Sequence, residues 1–300
     1  MSGKRPLTRR DFLKGTACGT AALAFGLPLT ARAEEEAAEK LARVVLIRDR
    51  DVLDDAGAPN GPVLSRMLDQ AVLRLFERDD IAACWRGIVG PADVLGIKSN
   101  VWRDLPTPPA LEEALVQRAL EAGVRKEKIA VADRGILDHP VFQEATALIN
   151  IRPLRTHHWS GIGGCIKNYI LFTRTPWEWH GDSCADLGGV WNLPVCKGKT
   201  RLNILVLLTP LFYGIGPHHF DPEHVWPYKG LAVSTDPVAL DAIGVKLLAE
   251  KRRVFFDRPP RGGTSAKHVA LADTRHGIGV ADLERIELIR MGWTEDALIE

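Results

Sequence analysis

The sequence predicts an α/β fold: a mostly parallel, doubly wound sheet with an irregular Trp-, Cys- and His-containing insertion over its carboxyl edge. Three observations predict it. Apolar strand-like runs alternate with helical stretches from residue 43 onward, and polar or charged residues follow the ends of those runs. Residues 173–199, with Trp177, Trp179, His180, Asp182, Cys184, Asp186 and Trp191, show little periodicity. Strands alternating with helices imply right-handed βαβ units, whose parallel strands deliver their carboxyl ends to one side.

The N-terminus reads as a removed export signal. Thr8-Arg9-Arg10-Asp11-Phe12-Leu13-Lys14 precedes a weakly apolar stretch, residues 16–29, and then Ala31-Arg32-Ala33, the small-x-small form that a signal peptidase reads. The apolar stretch is too short and too rich in Gly, Thr and Ala for a permanent membrane anchor. Residues 1–33 are therefore expected to engage the twin-arginine export machinery, placing the protein in the periplasm or otherwise outside the cytoplasm. Residues 34–300 are expected to form a single α/β domain, for which 46% hydrophobic composition is ample. Cleavage removes Lys4, Arg5, Arg9, Arg10, Lys14, Arg32 and Asp11, so 39 basic and 38 acidic residues become 33 and 37 and the net charge falls from +1 to −4. That balance argues against a nucleic-acid partner. Cys84, Cys165, Cys184 and Cys196 remain, an even number that leaves disulfide pairing open. No Cys-x-x-Cys pair occurs, which gives an iron–sulfur cluster or zinc knuckle no support.

Within the domain, residues 43–47 read as a strand. Residues 62–77 read as a helix with Pro62 in its first turn and apolar residues at Val63, Met67, Leu68, Ala71, Val72 and Leu75. Residues 94–98 form a second strand, 109–122 an amphipathic helix closed by Gly123, and 129–132 a third strand. A short helix from Pro140 leads to a fourth strand, 147–151. After the insertion, residues 203–208 are a buried strand, and 231–235 a strand running into Asp236-Pro237. Asp236 can N-cap the helix that follows, to about residue 252.

The polar residues beyond the strand ends are candidates for chemistry. Segment 149–168 holds Arg152, Arg155, His157, His158, Cys165, Lys167 and a glycine cluster. Lys98, Arg152, Arg155 and Lys167 would make a cationic pocket suited to a carboxylate or phosphate; the alternative is that the lysines pair with Asp133, Asp236 or Asp241. Lys98, His157 and Lys167 are the candidate catalytic groups, with Asn100, Arg155, Asn168, Asp236 and Asp241 as candidate ligand-binding residues. His157, His158, His218 and His219 come in pairs on two strand-end loops and are candidate ligands of a transition metal. The other reading of these histidines is structural. Cys165 reads as a buried small residue or half-cystine, with a thiol nucleophile as the alternative.

Three segments, Leu95-Gly96-Ile97-Lys98-Ser99-Asn100, 149–168 and Ser234-Thr235-Asp236-Pro237-Val238-Ala239-Leu240-Asp241, resemble in the same order the signatures of domain-of-unknown-function family 362. Its members show an Ile-Lys-Pro-Asn turn, an Asn-x-Pro-Lys-x-Lys-Thr-His segment leading to Lys-Asn, and a Ser-x-Asp-Pro-Val-Ala-x-Asp helix start. The resemblance implies shared roles for Lys98, Asn100, Thr156, His157, Lys167, Asn168, Asp236 and Asp241. Ser99 stands where the family has proline, and Arg152 and Arg155 where it has lysines. A planar guanidinium suits carboxylate or phosphate recognition better than Schiff-base chemistry. Some members carry ferredoxin-like clusters. Residues 94–139, with Leu105-Pro106-Thr107-Pro108 and Asp133-Arg134-Gly135, also resemble the N-terminal segment of the lactate racemase family.

Two classes of function follow as expectations. One is an exported metal- or cofactor-dependent enzyme that acts on an anionic small molecule, with His157 or Lys167 transferring a proton. The other is a non-catalytic exported protein that binds a metal, cofactor or anion for a partner.

Overall fold

A computed structural model describes residues 41–215, 220–256 and 265–299. The export signal, residues 1–33, and the paired His218 and His219 lie outside the described residues.

The order along the chain begins with β1 (Ala42–Arg48), α1 (Gly61–Phe76), α2 (Ile81–Ile88), β2 (Leu95–Lys98), α3 (Pro109–Glu121), β3 (Ile129–Ala132) and β4 (Ala147–His157). It continues with β5 (Gly161–Gly163), α4 (Cys165–Asn168), β6 (Thr200–Leu211), β7 (Gly230–Ser234), α5 (Pro237–Phe255), α6 (Lys267–Thr274) and β8 (Ile286–Gly292). The strands form one sheet in the order β3-β2-β4-β6-β7-β1-β8, with β5 paired to β4. Pairing is parallel for β2 with β3, β2 with β4, β4 with β6 and β1 with β8. β7 runs antiparallel between β6 and β1, so every other strand of that order points its carboxyl end the same way.

Each helix answers to its own signals. α1 starts where the Asn60 side chain accepts from Val63 N at 3.4 Å and ends where Glu77 turns left-handed. Its stripe Val63, Leu64, Met67, Leu68, Ala71, Val72 and Leu75 is buried against one sheet face, together with α2, α3 and the strand residues Ala147, Ile149, Ile151, Ile204 and Val206. The opposite face carries α5 and α4 over Leu148, Leu154, Leu205, Leu207 and Ala232. The period of two along β4 therefore sends Ile149 and Ile151 to one face and Leu148 and Leu154 to the other.

The structure corrects the sequence reading in several places. β4 does not stop at residue 151 but continues to His157, and all eleven of its residues are buried. Arg152, Arg155 and His157 therefore lie on the strand itself. Pro153 is tolerated because the pairing with β6 shifts register between Pro153 and Arg155, and β5 then pairs antiparallel with Arg155–His157. α2, α6 and β8 are additional to the elements expected from the sequence; α2 is short but amphipathic, with Cys84, Trp85 and Ile88 buried. Residues 173–199 are built from short turns, and they contribute core as well as surface. Leu187, Val190, Trp191 and Cys196 are buried, Trp191 stacks on Tyr169 at 4.0 Å, and Trp177 remains exposed.

Two glycines make opposite predictions about packing. A Cβ on Gly164 would collide with the Asp241 carboxylate, whereas one on Gly87, at an exposed position of α2, meets nothing within 4 Å. Gly164→Ala is expected to cost about 1–3 kcal/mol by overpacking, and Gly87→Ala to add about 0.5–1 kcal/mol by helix propensity. Urea unfolding of both variants checks the pair; equal midpoints would contradict this packing.

Candidate functional site

The floor of the site forms where β2 and β3 end side by side and β4 continues past them, with Lys98 in register with Ala132 and Asn150. Lys98 is fully buried, and its Nζ donates to Asp133 Oδ1 at 2.5 Å, Ser99 O at 2.7 Å and Asn168 Oδ1 at 3.4 Å. Burial pulls this ammonium down to about 8 although Asp133 opposes the shift. For Asp133 burial acts upward, but the Lys98 charge and hydrogen bond outweigh it and hold the carboxyl below its ordinary range. Asp133 Oδ2 also accepts from Val101 N at 3.1 Å.

Asn168 joins this floor to the rest of the site. Its Nδ2 donates to Asn150 Oδ1 at 2.8 Å, Ile151 O at 3.0 Å and Lys98 O at 3.2 Å. Asn150 in turn donates to Asn203 Oδ1 and Cys165 O, both at 3.1 Å. Lys167 and Asn168 are aimed by α4, whose first backbone N–H groups are held by a carboxylate from α5. Asp241 accepts from Cys165 N at 2.6 Å and Ile166 N at 2.9 Å. Asp236 accepts from Val238 N, Ala239 N and Val280 N at 2.8–2.9 Å and so caps α5. Both candidate ligand-binding aspartates are thus engaged by backbone, and neither lines the cleft described next.

That cleft, of about 560 Å³, is lined by Arg152, Arg155, Lys167, Asn100, Trp102 and Asp133, among others. Arg155 donates to Asn100 Oδ1 at 3.0 Å and lies 4.4 Å over the Trp102 ring. Arg152 makes one long contact, Nη1 to Asn168 Oδ1 at 3.5 Å. Among the described residues the Nε atoms of both arginines are buried without a hydrogen-bond partner, and neither guanidinium is in an ion pair. Burial lowers both arginines from their ordinary value. Lys167 Nζ lies 3.1 Å from His180 Nε2 and 3.8 Å from Cys184 Sγ. Thr173, Arg174, Pro176 and Trp177 border the same cleft, with Arg174 paired to Asp138 at 2.7 Å.

Of the three candidate catalytic groups, then, Lys167 lines the cleft, Lys98 supports it from behind Asp133, and His157 does not line it. His157 is buried, and its Nδ1 accepts from Trp159 N at 3.2 Å and Ser160 N at 3.4 Å, which leaves the ring proton on Nε2. Burial, reinforced by Lys167 and Arg152, holds it neutral, well below the usual imidazole range. His158 stacks on it at 4.9 Å, with its Nδ1 3.1 Å from Ile215 O. Among the described residues no group of three or more His, Cys, Asp or Glu side chains is placed to hold a metal ion. Cys84, Cys165, Cys184 and Cys196 are all free and buried, so no disulfide joins the described cysteines. Burial pushes the Cys165 thiol up, and its Sγ rests 3.8 Å from Ile204 O as a core group.

Sequence reasoning missed Trp102 as the platform for Arg155 and His180 with Cys184 as the partners of Lys167. It also missed Asn150 and Asn203. A lone amide inside each apolar run was the available signal for those two, since a buried amide needs partners.

No curated protein and no solved structure matches this chain. A family match covers β4, α4, β6, β7 and much of α5. It includes segments 149–168 and 234–241 and leaves 95–100 outside. Residues 138–246 are similar to the family described as Domain of unknown function (DUF362).

Proposed function

We propose that this protein binds a small anionic molecule, a carboxylate or phosphate, in the cleft at the carboxyl edge of the sheet, and that it does so as an enzyme in which Lys167 is the reactive group. The observation that carries this reading is the state of Arg152 and Arg155. Two buried guanidiniums line a cleft with unpartnered Nε atoms and no ion-pair partner among the described residues. A buried charge without a counter-ion is costly, and a ligand carboxylate or phosphate relieves that cost with charge-assisted, bidentate hydrogen bonds. The cationic excess is local: Lys98 is matched by Asp133 and Arg174 by Asp138, while Arg152, Arg155 and Lys167 remain.

A ligand role separates from a structural one by stability. Arg152→Met should weaken binding of oxalate by roughly tenfold or more, the loss of about 1.5–3 kcal/mol of charged hydrogen bonding. It should leave the melting temperature of the free protein unchanged or raised, because an uncompensated buried charge is removed. Calorimetry and thermal unfolding check both halves; retained affinity with a large drop in stability would sink the proposal.

The same site predicts a pH dependence. Lys167 is pulled down to about 8, chiefly by burial. It is protonated and attractive to an anion below that pH and neutral above it. Oxalate, whose charge is constant there, should bind progressively more weakly as pH rises from 7 to 9, and Lys167→Met should flatten the dependence.

We propose further that the protein is exported in folded form by the twin-arginine route. Arg9-Arg10, the apolar stretch and Ala31-Arg32-Ala33 support this. N-terminal sequencing of the exported protein should begin at Glu34, and an intact Met1 there would contradict it.

A further inference from the structure

In the reading proposed above Arg152 and Arg155 hold the anion, yet a lysine opens onto the same cleft without a carboxylate partner among the described residues. The two lysines of the site differ in this respect. Lys98 is fully buried, bonded to Asp133 and absent from the cleft wall. Lys167 faces the cleft, and its Nζ is set between His180 Nε2 and Cys184 Sγ. Burial pushes the Cys184 thiol up and His180 down, so both neighbours stay neutral near pH 7. The segment that supplies them is strained. Asp182, Ser183 and Cys184 have φ of 48°, 56° and 64°, three successive left-handed residues of which none is glycine. L-residues adopt that conformation at a cost, and the turn is anchored from outside by the ion pair of Asp182 with Lys267.

We propose that Lys167 is an amine nucleophile that forms a Schiff base with a carbonyl-bearing carboxylate of the 2-oxo acid class, whose carboxylate group is held by Arg152 and Arg155. This rests on the anion-binding reading of the cleft. Desolvation beside other cationic groups is a general way to keep a lysine amine nucleophilic. Here burial comes first and Arg152 and Arg155 add to it, against the opposing pull of Cys184. The arginines that hold the carboxylate thus also help to free the amine. A 2-oxo acid carries its electrophilic carbon next to its carboxylate, so clamping one end delivers the other to a neighbouring amine.

The step balances without a further reactant. Lys167 gives up its ammonium proton, and its nitrogen lone pair bonds to the carbonyl carbon while the oxygen takes up a proton to give a carbinolamine. The C–O bond then breaks, the hydroxyl leaves with one more proton as water, and C=N forms with no change of oxidation state. His180 Nε2, 3.1 Å from Nζ, is placed to accept the ammonium proton and return it to the departing hydroxyl.

The full chain is incubated with pyruvate or 2-oxoglutarate, reduced with borohydride, and examined by intact mass and peptide mapping. The expected result is one reduced adduct, mapped to Lys167, absent with lactate and suppressed when oxalate is present. An adduct on Lys98, or adducts scattered over surface lysines, would overturn the proposal. Oxalate binding by calorimetry is measured in parallel. Binding without an adduct overturns the Schiff base and leaves the anion site standing, whereas neither binding nor adduct overturns both. Lys167→Arg keeps the charge without a nucleophilic amine, so it should retain oxalate binding and lose the adduct. The peptide map of the unaltered chain decides the point if that variant does not fold.

Discussion

Everything at the site depends on one carboxylate that never reaches it. Asp241, buried on α5, takes the backbone N–H groups of Cys165 and Ile166 and so sets the direction in which α4 leaves the sheet. The four residues of α4 are too few to hold a helical direction by their own hydrogen bonds, so an external acceptor has to do it. The approach is close enough that only glycine fits at position 164. Once that turn is fixed, Asn168 falls on the amide network of the sheet and Lys167 on the cleft. Ser234 and Asp236 extend the same logic to the helix that carries Asp241. Ser234 Oγ donates to Arg43 O at 2.7 Å and accepts from Asp236 N at 2.9 Å, while Asp236 caps the first turn. The acidic signature at the start of α5 is therefore scaffolding, transmitted to the site through backbone hydrogen bonds.

Two kinds of buried polar group coexist within a few residues of β4. The asparagines Asn150, Asn168 and Asn203 satisfy one another and the neighbouring carbonyls, as a buried network must if it is to hold a single arrangement. Arg152 and Arg155 do not find such closure. Desolvation costs on the order of several kcal/mol per ion, and Asp133 and Asp241 offset it only in part, without a direct ion pair among the described residues. The rest of the sheet tolerates that cost because both its faces bury long apolar runs. A fold that carries such a tension beside a cleft has put stability into a preformed electrostatic field.

Much of this was legible from residue order. Apolar periodicity marked β1 to β4, β6, β7, α1, α3 and α5, since these elements are long or clearly patterned. The clustering of Lys98, Arg152, Arg155 and Lys167 at strand ends was legible too, because parallel strands must deliver their ends together. One thing misled the reading of segment 149–168: charged residues and a proline in the second half of β4 read as loop, although a register shift lets Pro153 sit in the sheet. The adjacent histidines were open to a metal or a structural reading from residue order, and the Nδ1 of His157 is taken by two backbone N–H groups of its own turn. β8 and α6 were invisible because their burial comes from β1 and, for α6, from α5 and the turns around residues 184–191, not from their own pattern.

By itself the sequence determined the α/β class, the helix cap at Asp236, and the gathering of cationic side chains at one sheet edge. Local hydrogen bonding, side-chain period and the handedness of βαβ units leave little freedom in those matters. Only the tertiary structure decided which cations are matched and which are left over. Lys98 meets Asp133 from a strand 35 residues away, while Lys167 meets His180 and Cys184 from a turn with no periodic signal. Pairing across such separations depends on where the elements pack, and the same four cations could have been neutralised by Asp236 or Asp241 had those carboxylates not been taken by backbone N–H groups first.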